Sequence, residues 1–295
     1  MGYGSWSSNS YATYSASVGR SYCASTKTFK DNYTSSDQAF ISRKLDKKLN
    51  PKDVLRECCD TKEHPKSFPI ILALDVTGSM GKTAIEVQKK LNPIMEEIYK
   101  TVDDAEVMIM AIGDLAYDDA PIQISQFESD IRIAENLDKV WFENGGGGND
   151  YESYTAAWYM GLKHCKLDCW NRGKKGLIIT MGDEPLNPYL PQSELESVTG
   201  DTLQGDVETK DLYKAASEKF NLFHFCIESG NYPDQTRQKR TFEKVLGSQN
   251  VDISSVGDLH KKIIAVVQKY SNNDDILLTE SESKVKTDEN GFITW

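Results

Sequence analysis

Three short stretches of the chain hold carboxylates and hydroxyls at spacings that suit a hard cation. The first reads Asp75-Val76-Thr77-Gly78-Ser79-Met80-Gly81, with one acid and two hydroxyls at alternate positions. Alternate residues of an extended turn point to one side, so three oxygens can converge on one ion. Mg²⁺ and Ca²⁺ take oxygen ligands, and Mg²⁺ keeps several waters in a near-octahedral shell. The same residues would also cap a following helix, since Asp and Ser are favoured N-caps. The second stretch is Gly182-Asp183-Glu184-Pro185, an acid directly behind an apolar run. Alone it is an ordinary Gly-Asp turn, and its weight comes from pairing with the first stretch. The third lies between them, from Glu143 through Gly145-Gly146-Gly147-Gly148-Asn149-Asp150 to Glu152 and Thr155. Consecutive glycines permit close backbone approach and positive φ, as a ligand-shaped loop requires.

The elements that must position these loops are legible from periodicity. Pro69–Leu74 is continuously apolar, as expected for a strand buried on both faces. After Asp75 a helix is expected, with its apolar stripe at 80, 84, 87, 91, 94, 95 and 98 and a kink at Pro93. Strands are expected at 106–112, 175–181, 221–227 and near 251–253, with an edge strand at 122–127. Helices are expected at 130–139, 151–167, 208–219, 236–246 and 257–270. Strand–helix alternation of this length predicts a doubly wound, mainly parallel sheet with helices on both faces. Ligands of such sheets sit beyond the carboxyl ends of the strands, where the three polar stretches fall.

The segment Leu74-Asp75-Val76-Thr77-Gly78-Ser79-Met80 resembles the Asp-x-Ser/Thr-x-Ser motif of the metal-ion-dependent adhesion site in von Willebrand factor A domains. The glycine-rich loop and the Ile178–Pro185 segment are similar to that family's second and third metal loops, in the same order. The resemblance covers residues 68–270. It implies that Thr77 and Ser79 are hydroxyl ligands, and that Asp75 and Asp183 bind directly or through water. The family's second-loop ligand is usually Thr, and none follows the glycines here. Asn149 is the first choice for that slot, with Asp150 and Glu152 behind it, and Thr155 lies deeper in the expected helix. The resemblance further implies a protein-binding (adaptor) module, with Mg²⁺, or alternatively Mn²⁺ or Ca²⁺, bridging to an Asp or Glu carboxylate of a partner. The ion would then be a bridge rather than a catalyst. Asp114, with Tyr117, Asp118 and Asp119, follows the second strand and could rim the crevice or form an acidic surface loop.

An enzyme is the competing reading, a Mg²⁺-dependent phosphohydrolase or nucleotidase using the same crevice. Gly81-Lys82-Thr83 suggests a P-loop, but the first glycine of that motif would fall on Val76. Asp75 could be a phosphatase nucleophile of the haloacid dehalogenase type, but Thr77 stands where its acid–base carboxylate belongs. His164, Cys165 and Cys169 with Cys58 and Cys59 form no Cys-x₂-Cys pair of a zinc knuckle.

The remainder of the 295 residues frames these sites. A formal charge of −11 disfavours nucleic acid and anionic membranes as partners. The first thirty residues lack the apolar core of a signal peptide, and six cysteines read as reduced thiols of a cytoplasmic protein. Residues 1–36, rich in Ser and Tyr, suggest a flexible or partner-ordered arm, with its tyrosines able to pack on the domain. Residues 37–67 suggest a short helical collar broken at Asn50-Pro51. Residues 68–270 form the domain, and 271–295 a polar tail.

Overall fold

The computed structural model describes residues 4–29, 35–143, 151–229 and 233–271, and the strand residues 286–287 and 293–294. Its centre is a six-stranded sheet. In chain order the strands are β1 (Phe68–Asp75), β2 (Ala105–Ile112), β3 (Ile122–Ile124), β4 (Gly176–Gly182), β5 (Phe220–Glu228) and β6 (Val251–Ser255). They lie in the order β6-β5-β4-β1-β2-β3, all parallel except the edge strand β3. This is the doubly wound α/β arrangement that the alternation predicts.

Period-two side-chain alternation splits each central strand between two cores. Ile70, Leu72 and Leu74 of β1 face one core, and Ile71 and Ala73 face the other. The first core is closed by helices α2 (Gly81–Tyr99) and α8 (Leu259–Ser271), together with α1 (Ser8–Ser17) and α3 (Arg132–Leu137). The second is closed by α4 (Ala156–Lys163), α5 (Gln192–Thr199), α6 (Thr209–Lys219) and α7 (Thr236–Leu246). Every member of the predicted stripe on α2 is buried, and the helix runs through Pro93. No helix among the described residues is long and apolar enough to cross a membrane.

The expected flexible arm is corrected for residues 4–29. Helix α1 lacks an apolar period because serines fill it, yet Tyr11 is fully buried among Trp6, Tyr22 and Phe29. Polar anchors on α2 and beyond α3 replace the missing stripe. Buried Asn92 accepts from Trp6 Nε1 at 2.8 Å and donates to Tyr22 OH at 2.9 Å. Asp138 accepts from Tyr14 OH and Gln88 Nε2 and pairs with Arg20.

The helical collar is corrected as well. Only Ser36–Ala39 is helical, and Phe40 and Leu49 leave the chain path to fill the first core. Asp46 and Asn50 then accept from the backbone of Lys48 and Lys52, turns that compete with helix. Arg56–Cys58 is extended and pairs in parallel with Cys165–Leu167, which also ends the expected helix at 151–167 early. The polar tail lies largely outside the described residues; of those that are described, Lys286–Thr287 and Ile293–Thr294 pair antiparallel.

His164 pins this extension by meeting Asp201 at 2.8 Å and the Val54 carbonyl at 2.9 Å. Burial depresses the imidazole, but the Asp201 hydrogen bond, the Val54 carbonyl and the Asp201 charge outweigh it and raise His164 overall. Burial raises Asp201, and its bonds from His164 and Tyr159 lower it overall. The raised histidine gives stability that is full below its unfolded pKa and is lost as pH climbs through the folded value. The depressed Asp201 gives stability that is lost only as pH falls through its own folded value. Asp201→Asn should therefore lower the melting temperature more near about pH 6 than near about pH 9. Equal losses at both would exclude a charged pair. Asn92→Ala should cost about 1–3 kcal/mol in denaturant titration, because it strands two buried donors and acceptors of the arm.

Candidate functional site

The chain leaves β1 toward β2 and β3, and leaves β4 toward β5 and β6, so the sheet order reverses between β1 and β4. Their carboxyl ends therefore border the crevice in which doubly wound folds bind ligands. Asp75 ends β1, and Asp183 immediately follows β4. Both are fully buried.

Behind Asp75 the chain turns tightly. Thr77 N and Thr77 Oγ1 donate to Asp75 Oδ1 at 2.9 and 2.6 Å. Residues 78–80 form one 3₁₀ turn and Gly81 opens α2, so Ser79 lies on the lip of that helix. Ser79 Oγ donates to Asp183 Oδ1 at 2.9 Å. The two predicted hydroxyls and two predicted carboxylates thus form two hydrogen-bonded pairs, near enough that the Asp183 charge acts on Asp75. Asp183 Oδ2 is buried without a hydrogen bond of normal geometry among the described residues.

Tyr154 completes the group and was not singled out by sequence reasoning. Its buried hydroxyl donates to Asp75 Oδ2 at 2.7 Å and accepts from Glu184 N at 3.1 Å. One side chain therefore ties the second loop to the first and third. The ring packs beside His224, which is stacked on Phe242 at 3.5 Å between centroids. A tyrosine within an expected helix reads as core in any sequence, so no signal marked it.

Glycine at 182 is what admits that ring. A Cβ there would stand 2.1 Å from the Tyr154 hydroxyl. The Gly-Asp pair is therefore more than a turn: the glycine makes space for the tyrosine that holds Asp75.

Glu152 lies close enough to feel the same charges. Burial and then the charge of Asp75 raise its carboxyl well above the usual range, with Asp118, Asp114 and Glu184 adding to the shift. Its Oε2 is buried without a hydrogen bond, as is Asp114 Oδ2. Burial raises Asp75 in turn, with the Asp183 charge second. Burial also raises Asp183, against the lowering effect of the Ser79 and Ser229 hydroxyls. The crevice is thus short of positive charge. Of the other expected second-loop residues, Asn149 and Asp150 lie outside the described residues. Thr155 exchanges hydrogen bonds with Asn187 and belongs to the scaffold.

Asp118 does not reach toward the crevice as a free ligand, since its carboxylate accepts from Asp114 N at 2.7 Å and closes the turn after β2. In the Gly81-Lys82-Thr83 run, Thr83 is buried and the Ser36 hydroxyl packs beside Gly81. All six cysteines are free thiols. Among the described residues no group of three or more His, Cys, Asp or Glu stands positioned to hold a metal by those side chains alone. Any cation here would depend on the hydroxyls as well.

Gly182→Ala should destabilise the protein by about 1–3 kcal/mol or more, by driving Tyr154 off Asp75. Gly205→Ala, where a Cβ meets nothing within 4 Å, provides the control in the same melt. Equal, small effects of both would show that the ring has room to move.

In sequence the chain matches no family model and no curated protein. Among solved structures it is similar to the pilus adhesin SpaC of Lactobacillus rhamnosus GG in its open conformation. That match has a TM-score of 0.46 and 12% identity, and covers 74% of this chain and 31% of SpaC. It is also similar to the vWF domain of the type V pili tip protein Mfa5 of Porphyromonas gingivalis. Here the TM-score is 0.46 and the identity 10%, over 73% of this chain and 98% of that one. An aerotolerance-related membrane protein of Bacteroides fragilis aligns with a TM-score of 0.40 and 12% identity, over 69% of this chain and the whole of that one. These are resemblances of fold and extend to no residue's role.

Proposed function

We propose that the chain is a protein-binding module whose crevice holds one divalent cation, Mg²⁺ or alternatively Mn²⁺ or Ca²⁺, at Asp75, Thr77, Ser79 and Asp183. The observation that carries this reading is the set of buried oxygens at the β1–β4 switch point. Two carboxylates and two hydroxyls meet there, with Asp183 Oδ2 left without a hydrogen bond. The donor set fits a hard cation, which prefers oxygen ligands. Each hydroxyl already gives its proton to a carboxylate, so its lone pairs remain for an ion. A cation would also offset the charge that Asp75, Asp183 and Glu152 now share unrelieved. Glu152 is the second-loop candidate that the described residues include, and Asn149, the first choice for that slot, lies outside them.

When bound, the ion would supply an electrophilic anchor for a carboxylate from a partner protein. The residues of this chain hold it, orient the hydroxyls and keep the crevice short of bulk water. The same geometry weighs against the phosphohydrolase alternative. Asp75 has both oxygens engaged, by Thr77 and by Tyr154, and a carboxylate so bonded is a poor nucleophile. No acid–base carboxylate stands at position 77.

Calorimetric titration of Mg²⁺ and Mn²⁺ into chelator-treated protein tests the reading. One ion per chain is expected, with binding abolished in Asp183→Ala and weakened about tenfold or more in Ser79→Ala. Wild-type protein that takes up neither ion would refute it. So would alanine variants that bind as wild type does.

A further inference from the structure

Beyond an ion, the crevice has a built rim. Among the described residues six large apolar side chains stay exposed: Val18, Ile41, Leu55, Tyr117, Tyr151 and Tyr189. The three tyrosines, exposed by 58%, 40% and 44%, stand at the carboxyl-end side of the sheet, Tyr117 and Tyr151 on loops and Tyr189 in a two-residue strand paired with Val207–Glu208. Tyr117 follows β2, Tyr151 lies on the second loop, and Tyr189 follows β4.

Those loops are stitched to one another. Ser153 N donates to the Gly113 carbonyl at 3.2 Å, and Leu115 N donates to Ser153 Oγ at 3.0 Å. Glu152 bridges in parallel to Leu186, and Thr155 N donates to Asn187 Oδ1 at 3.2 Å. The tyrosines therefore belong to one held surface. Exposed tyrosine offers a large contact area, few rotatable bonds and a hydroxyl, the profile of an interface anchor.

The charge carried by these loops has one sign. Residues 113–121, 151–155 and 182–190 carry Asp114, Asp118, Asp119, Glu152, Asp183 and Glu184, and neither Lys nor Arg. Exposed basic residues border these loops at the first turns of helices, Lys82 on α2, Lys210 on α6 and Arg237 on α7. Asp114, Glu152 and Asp183 are buried, and Asp118, Asp119 and Glu184 are the acids that reach solvent. A bare acidic segment approaching the tyrosine side would meet net repulsion, and such charge mismatch is costly at an interface.

We propose that this face docks a protein segment in which the ion-bound carboxylate is flanked by lysine or arginine, with Tyr117 and Tyr189 packing against the flanking residues. The proposal rests on the metal reading above and specifies the partner that the site would take. The alkyl stems of Lys and Arg lie well on aromatic rings, and their charged ends meet the surrounding acids.

The test uses the full chain and two labelled peptides displayed several to a bead, so that weak contacts add. One places Asp between lysines (Lys-Ala-Asp-Ala-Lys), and the other places it between glutamates (Glu-Ala-Asp-Ala-Glu). In Mg²⁺ the lysine-flanked beads should be retained about tenfold more strongly, and chelator should release them. Tyr117→Ser combined with Tyr189→Ser should cut that retention about tenfold while calorimetric Mg²⁺ affinity stays as in wild type. Equal retention of the two peptides, no retention of either, or no effect of the tyrosine changes would overturn the proposal while leaving Mg²⁺ binding intact. Wild-type protein that takes up no Mg²⁺ marks failure of the metal reading itself, and this proposal falls with it.

Discussion

A carboxylate withdrawn from water costs several kcal/mol unless hydrogen bonds or an opposite charge replace its hydration, and Asp75 is withdrawn completely at the end of β1. Three donors answer that demand: the backbone and hydroxyl of Thr77 on one oxygen, and Tyr154 on the other. None of them brings charge, so the repulsion between Asp75 and Asp183 stays unrelieved, and Asp75 is raised accordingly. The rest of the crevice follows from this requirement. Thr77 must come two residues after the acid to close back on it. Tyr154 must reach across from another loop, and Gly182 must lack a side chain to let it pass.

The platform beneath is stiff because both faces of the sheet are covered and the lip of the crevice is the first turn of a buried helix. Helix α2 begins immediately after Ser79, and its packing in the first core fixes where that hydroxyl stands. The N-terminal segment strengthens the same helix from outside, through Asn92 and the backbone of Gln88. The segments that seemed peripheral in sequence thus load onto the one helix whose position the site depends on. On the other side, Gln235 of the chain between β5 and α7 donates to the Asp183 carbonyl at 3.3 Å and supports the opposite wall.

What could be read from sequence was whatever recurs along the chain. The central strands are mostly apolar because they are buried on both faces, and α2 shows its stripe because that face packs into the first core. The switch-point residues Asp75, Thr77, Ser79 and Asp183 stand out because charge and hydroxyls interrupt those apolar runs. The arm and the collar were illegible for the opposite reason. Helix α1 is held by single aromatic and polar contacts, Tyr11, Trp6 and Asn92, and three isolated contacts make no period. Phe40 and Leu49 reach the core from turns. The pairing of Arg56–Cys58 with Cys165–Leu167 joins segments about a hundred residues apart, and no local pattern records it. Tyr154 escaped notice because its polar atom matters only through a partner on another strand.

The balance of these contacts also bears on what the crevice can do. Three hydrogen bonds, two on Oδ1 and one on Oδ2, lower the nucleophilicity of Asp75 and leave Oδ2 a lone pair for an ion. Hydroxyls in an enzyme are poised by a base that takes their proton, whereas Thr77 and Ser79 already give theirs to carboxylates in the resting arrangement. Burial has removed water as the compensating medium, so a cation joining that arrangement would relieve the repulsion between Asp75 and Asp183. With Asp183 Oδ2 and Glu152 Oε2 buried without a hydrogen bond, the proposed ion would meet oxygens that nothing else among the described residues satisfies.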